Sequence, residues 1–220
     1  MVYTKAMELK LIFMTVLAVV SAVYLVTLFF KQGILQSVLK GCLVPLILAI
    51  YIFGAEKILV PVILALIFGW IGDVLLLNIA DLRRFRLGLA SFLTGHICFI
   101  VAFSFFIPQF NIPALIISIA VAAIFGFCMF KFVRPGKAMK YPVIAYEIII
   151  MLMAISAIQV FFAHGGTFGI LALTGSILFV ISDGTLAFNT FRKDTKIGYF
   201  LVMVTYIAAQ LLITLGFCAA

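Results

Sequence analysis

The sequence predicts an all-α integral membrane protein that crosses the bilayer eight times. Two observations carry this expectation. The first is composition: 67% of the 220 residues are hydrophobic and 10% are charged, against roughly half and a quarter in a soluble domain. So little polar surface cannot coat a water-soluble globule. The second is segmentation. Apolar residues fall into runs near the ~20 residues that a helix needs to cross ~30 Å of hydrocarbon. The alternating pattern of a membrane barrel is absent.

The runs span residues 9–30, 38–53, 58–79, 87–107, 112–132, 142–163, 168–190 and 197–217. The first follows Lys5 and Lys10 as a signal peptide would, but it is too long for one and reads as the first span. The second is short, and Pro45 is expected to kink it. The whole chain, 1–220, reads as a single transmembrane domain.

The loops give an orientation. Twelve of the 15 Lys+Arg fall between runs 1 and 2 (Lys31, Lys40), 3 and 4 (Arg83, Arg84, Arg86), 5 and 6, and 7 and 8. Lys5, Lys10 and Lys57 stand on the other side. The positive-inside rule then puts the four basic loops in the cytoplasm and both termini outside. A bacterial inner membrane is the expected location. The net charge of +8 thus reflects topology, and nucleic acid is not an expected partner. Cys42, Cys98, Cys128 and Cys218 all lie in apolar runs without a C-x-x-C pair, so neither a disulfide framework nor a zinc site is expected.

An offset of 110 residues sets Asp73 on Asp183, Arg83 on Lys193, Arg86 on Lys196, Gly88 on Gly198 and His96 on Tyr206. Halves 1–110 and 111–220 are therefore candidate parallel repeats of four helices, with a cleft between them.

Asp73 and Asp183 stand inside apolar helices. An intramembrane carboxylate costs about 3 kcal/mol on insertion scales and is a functional hypothesis by default. At about 1.5 Å per residue, Asp73, Asp183 and Glu147 all lie roughly 10 Å from the basic-loop end, with His96 and Tyr206 about 13 Å deep. Tyr146, Asn78, Ser182 and Gln210 are further polar groups on these helices. Their convergence on one layer predicts a site there. His164 lies in the opposite loop and cannot join His96 in a metal site. Ser182 and Asp183 are neighbours on a helix, about 100° apart, and suit a serine triad with His96 poorly.

These residues resemble the YhhN-type, or lysoplasmalogenase, family of multi-pass membrane proteins. The resemblance rests on Gly72-Asp73-x-x-Leu76, on Phe85-x-x-Gly88-x-x-x-Phe92-x-x-Gly95-His96, and on Ser182-Asp183 ahead of Ala187. Tyr206-x-x-x-Gln210 and Lys40 with Pro45 add to it. It implies hydrolysis of the vinyl ether bond of lysoplasmalogens to a fatty aldehyde and glycerophosphoethanolamine or glycerophosphocholine. It also implies that Asp73 and Asp183 are catalytic.

The chemistry suits two acids. A general acid protonates the vinyl ether's β-carbon, water attacks the oxocarbenium ion, and the hemiacetal collapses. Paired carboxyl groups divide such work in glycosidases, one protonated and one ionised. His96, Tyr146, Glu147, Tyr206, Gln210, Asn78 and Ser182 are expected to position substrate or water. Lys40, Arg83, Arg86 and Arg192 are expected near the headgroup phosphate. The expected partners are a lysophospholipid entering from the bilayer and the membrane lipids. Neither a metal, an organic cofactor nor a protein partner is implied. The alternative is a proton-coupled small-molecule transporter using the same acids.

Overall fold

A computed structural model describes the backbone of residues 2–30, 33–78 and 81–220, and the side chains of 5–30, 33–77 and 81–220. Eight α-helices run through the described residues, with no strand among them. They are α1 (Val2–Thr27), α2 (Ile34–Gly54), α3 (Val60–Leu75), α4 (Leu82–Ser104), α5 (Ile112–Val133), α6 (Lys140–His164), α7 (Gly166–Phe191) and α8 (Lys196–Cys218). Seven are long and apolar enough to span a membrane. The exception, α3, has 16 residues and continues into a 3-10 turn, Leu76–Asn78. Together they reach about 30 Å, the thickness of the hydrocarbon. The chain is an integral membrane protein.

Two boundaries differ from the sequence reading. Helix α2 begins at Ile34 rather than 38, is 21 residues long, and continues through Pro45. Lys40, at the edge of the expected run and counted with the loop before it, therefore lies in the second turn of the helix. Helix α3 ends as an α-helix at Leu75, four residues early.

Local chemistry sets several ends. Asp81 caps α4 by accepting from the Arg83 and Arg84 amides, and Asn111 caps α5 through the Ala114 amide. Such side chains satisfy amides that have no partner in the first helical turn. Thr195 caps α8 through the Gly198 amide, while Asn189 accepts from the Thr195 amide and hydroxyl. Gly165, at φ +56°, turns α6 directly into α7, a backbone conformation that suits glycine.

Helix α7 packs most closely on α8, and α3 on α4; α1 lies on α2, and α5 on α6. Cross-links run from α2 to α3 and α8, and from α6 to α7 and α4. The two ends differ. At one, Phe99, Phe103, Phe106, Phe168 and Phe217 stack into an aromatic plug. At the other, the basic loops are tied together. Arg86 donates to the Ala138 carbonyl, Arg192 to Phe132 and Lys196 to Phe29. The loops that positive charge groups in the sequence thus share one end of the bundle.

Candidate active site

A cavity of about 690 Å³ runs from that basic end into the bundle, within the usual range for small-molecule sites. Gln36, Ser37, Asp194 and Lys196 line its outer part; Asp73, Asp183, Tyr146 and Tyr206 line its depth. Leu76, Leu89, Phe92, Leu186 and Met203 supply apolar wall. Both intramembrane aspartates therefore face one chamber.

Asp73 is carried by α3 and is 2% exposed. Lys40 Nζ, from α2, stands 3.5 Å from its Oδ1. The Tyr206 hydroxyl, from α8, donates to its Oδ2 at 2.7 Å. One turn further along α8, Gln210 Nε2 donates to the Tyr206 oxygen at 3.4 Å. Helix α3 makes room with two glycines. A Cβ on Gly69 would lie 2.9 Å from Gln210 Nε2, and one on Gly72 would lie 2.6 Å from the Phe92 ring. Phe92 in turn meets Tyr206 edge-on at 5.9 Å. The spacing Gly69-x-x-Gly72-Asp73 thus presents a bare face on which α4 and α8 close around the acid.

Asp183 is carried by α7. The Tyr146 hydroxyl, from α6, donates to its Oδ2. His96, from α4, brings Nε2 to 2.9 Å from the Tyr146 oxygen and 3.4 Å from Asp183 Oδ2. Its Nδ1 lies 3.2 Å from Met153 Sδ. Phe179 joins the two clusters, edge-on to His96 at 4.6 Å and to Tyr206 at 5.6 Å. Each acid therefore has a phenol on one oxygen. Asp73 adds an ammonium, whereas Asp183 adds an imidazole.

The other candidates divide. Glu147 points to the far side of α6, into a small pocket of about 40 Å³ that it shares with Asp183 and with Phe125 and Met129 of α5. Its Oε1 is buried without a hydrogen-bond partner there. Ser182 lines the cavity, but its hydroxyl donates to the Val202 carbonyl and ties α7 to α8. The hydrogen-bond partners of His96 are Met153, Tyr146 and Asp183. The side chain of Asn78 lies outside the described residues. Arg83, Arg86 and Arg192 are exposed and are not among the described residues lining the cavity. Lys40 and Lys196 are the cations that line it among those residues. His164 sits at the opposite end, against the Phe106 carbonyl.

Sequence reasoning passed over Tyr24 and Tyr199, which line the cavity, and Phe179 and Met153, which pack on His96. The last two carry no signal that separates them from ordinary apolar packing. Lys196 was visible as the offset partner of Arg86 and as a base at the head of α8.

The arrangement can move a proton at one carboxyl and oppose a developing positive charge with the other, beside an apolar wall. The profile of the YhhN family matches residues 35–217, which hold all of these residues except Tyr24. The chain belongs to the YhhN family. It is 36% identical over 153 residues to human lysoplasmalogenase TMEM86B, covering 69% of this chain and 61% of the human protein. The rat lysoplasmalogenase TMEM86B is 31% identical over 134 residues, 61% of this chain and 52% of that one. Bovine lysoplasmalogenase TMEM86A is 30% identical over 160 residues, 70% of this chain and 64% of its own. The matched chain thus spans less than two thirds of these relatives' lengths. No solved structure matches.

Proposed function

We propose that this YhhN-family protein is a lysoplasmalogenase. It hydrolyses the vinyl ether bond of a lysoplasmalogen, releasing a fatty aldehyde and a glycerophospho-alcohol. The observation that carries the reading is that Asp73 and Asp183 line one largely apolar chamber. The relatives named lysoplasmalogenase supply the reaction class. A vinyl ether needs a proton on carbon and a counter-charge for the oxocarbenium ion, and two carboxyls provide both. The single alkenyl chain lies along Leu89, Phe92 and Met203, with the headgroup toward Gln36, Asp194 and Lys196 at the basic end. The test is aldehyde release from purified protein with a vinyl ether lysolipid beside its ester counterpart. Asp73→Asn and Asp183→Asn, correctly inserted, lose release by at least ~10²-fold, the scale of general acid catalysis. Normal release from both variants ends the proposal. Counterflow of a labelled solute in proteoliposomes without aldehyde release would point to a transporter instead.

The basic end faces the cytoplasm and both termini lie outside, in line with the positive-inside rule. Reporter fusions at Ala220 and in the 134–139 loop test this orientation. The chain is also a parallel duplication of halves 1–110 and 111–220. Supporting it, packing of α3 on α4 recurs as α7 on α8, and of α2 on α3 as α6 on α7, while α2 on α8 recurs as α6 on α4. In the site, Asp73 with Tyr206 matches Asp183 with His96. Halves that fail to superpose in an experimental structure would refute the duplication.

A further inference from the structure

We infer that Trp70 is a positioning residue: its indole N–H gives Gly41 the hydrogen bond that Pro45 cannot, and so fixes the segment that holds Lys40 against Asp73. The inference rests on the vinyl ether reading above for the reaction that Asp73 serves. It adds a residue that is not among the described residues lining the cavity.

Helix α2 has a gap in its own ladder. Proline has no N–H, so the carbonyl of Gly41, four residues before Pro45, lacks its helical donor. The proline ring also crowds that carbonyl. A carbonyl left bare in hydrocarbon is costly, and a neighbouring helix is a common remedy. Trp70, from α3, provides it: Nε1 donates to the Gly41 oxygen at 2.9 Å. An indole that served only as an interfacial anchor would turn its N–H to the headgroups or to water. Trp70 is 40% exposed, yet its one side-chain polar group is spent on the backbone of α2.

The gap divides α2 into two parts that are held differently. Its buried residues, Leu43, Val44, Ile47, Ile50 and Tyr51, all lie beyond Gly41. Residues 34–41 include none, and three of them, Gln36, Ser37 and Lys40, line the cavity. Among the described residues, two polar ties join this segment to other helices. One is Lys40 to Asp73, at 3.5 Å, and the other is Gly41 to Trp70. They fall on consecutive residues of α2 and, on α3, three residues apart, nearly one turn. Trp70 thus pins α2 one residue away from the ammonium that faces Asp73. Without the indole, the first two turns of α2 join the packed part through a helix that lacks one of its own bonds. Lys40 is then free to swing away from Asp73.

A cycle between Trp70→Phe and Pro45→Ala, in the purified full-length protein in lipid nanodiscs, tests this role. Pro45→Ala returns an amide donor to Gly41 and makes the indole redundant. The readouts are kcat for aldehyde release and, without substrate, amide hydrogen exchange over residues 34–44. Trp70→Phe is expected to lower kcat by about tenfold, the scale of one hydrogen bond. Exchange in the segment is expected to quicken by a similar factor. In the Pro45→Ala background, the same substitution is expected to change either readout by less than about twofold. Trp70 is the only tryptophan in the chain, so supplying the benzothiophene analogue of tryptophan replaces this N–H with sulfur and keeps the ring. That protein is expected to match Trp70→Phe, which separates the lost donor from lost ring packing. Equal losses in both backgrounds, unchanged exchange, or a benzothiophene protein that behaves as the parent overturns the inference. So does a parental kcat in spite of faster exchange. Hydrogen exchange uses no lipid substrate. A parent protein that cleaves no vinyl ether therefore refutes the function above, while the exchange cycle still decides whether the indole holds α2.

Discussion

Lys40 Nζ lies 3.5 Å from Asp73 Oδ1, across the α2–α3 interface, with the two side chains 13% and 3% exposed. Removing one member of a buried pair strands the other charge, at a cost of about 3–5 kcal/mol. Lys40→Met is therefore expected to lower the thermal midpoint in detergent and to abolish aldehyde release. Lys40→Met combined with Asp73→Asn should recover most of the stability and none of the activity. Equal midpoints for the single and double variants would mean that the two groups do not depend on each other.

Tyr206 is the second restraint on Asp73. A hydrogen bond to a charged group contributes about 1.5–3 kcal/mol, and 1.36 kcal/mol is tenfold in rate. Tyr206→Phe removes the donor while keeping the ring that Phe92 and Phe179 meet edge-on. The expected result is a fall in kcat of about 10- to 100-fold with KM little changed. A rise in KM at constant kcat would make Tyr206 a substrate contact instead of an Asp73 restraint.

Gly72 tests the shape of the pocket independently of its charge. A Cβ there would sit 2.6 Å from two ring carbons of Phe92, and overpacking of this kind costs about 1–3 kcal/mol. Gly72→Ala is expected to lower the thermal midpoint and the activity together. Adding Phe92→Leu frees the space and should restore the midpoint. If Gly72→Ala alone is as stable as the parent, α3 and α4 are not packed as closely as this face requires.

Depth was legible in the sequence, and direction around each helix was not. Counting residues from the basic loops set Asp73, Asp183, His96, Tyr146 and Tyr206 at one level, and the structure brings them to one cavity. Counting could not separate Tyr146 from Glu147. The two are adjacent, and the ~100° between neighbours on a helix turns Tyr146 toward Asp183 and Glu147 toward α5. Lys40 was visible as a charge but was assigned to a loop and a phosphate. The onset of α2 hides in 34–37, where Gln36 and Ser37 interrupt the apolar pattern. Once α2 begins at Ile34, Lys40 lies inside the helix, and its flexible stem carries the ammonium to Asp73. The arginines failed to reach the cavity for a similar reason. Arg86 spends its guanidinium group on a carbonyl of the 134–139 loop, and Arg192 on one in the last turn of α5.

That last point leaves Lys196 as the cation for the headgroup in the proposed reaction. Its ammonium is at the outer part of the cavity and donates to the Phe29 carbonyl at 2.7 Å, an exposed contact that a phosphate can replace. Asp194 lines the same region and offers a negative charge two residues away. A headgroup contact far from the reacting carbon binds ground and transition states alike, so its loss appears in KM and leaves kcat nearly unchanged. Lys196→Ala is therefore expected to raise KM for a lysoplasmalogen by about tenfold, the scale of one charge-assisted hydrogen bond. Arg83→Ala should leave KM within about twofold, because surface charges away from the lipid contribute little. Added salt should weaken binding to the parent protein more than to Lys196→Ala, since screening acts only on the charge that is present. If Arg83→Ala raises KM and Lys196→Ala does not, the lipid enters along α4, and the headgroup lies over the α3–α4 turn.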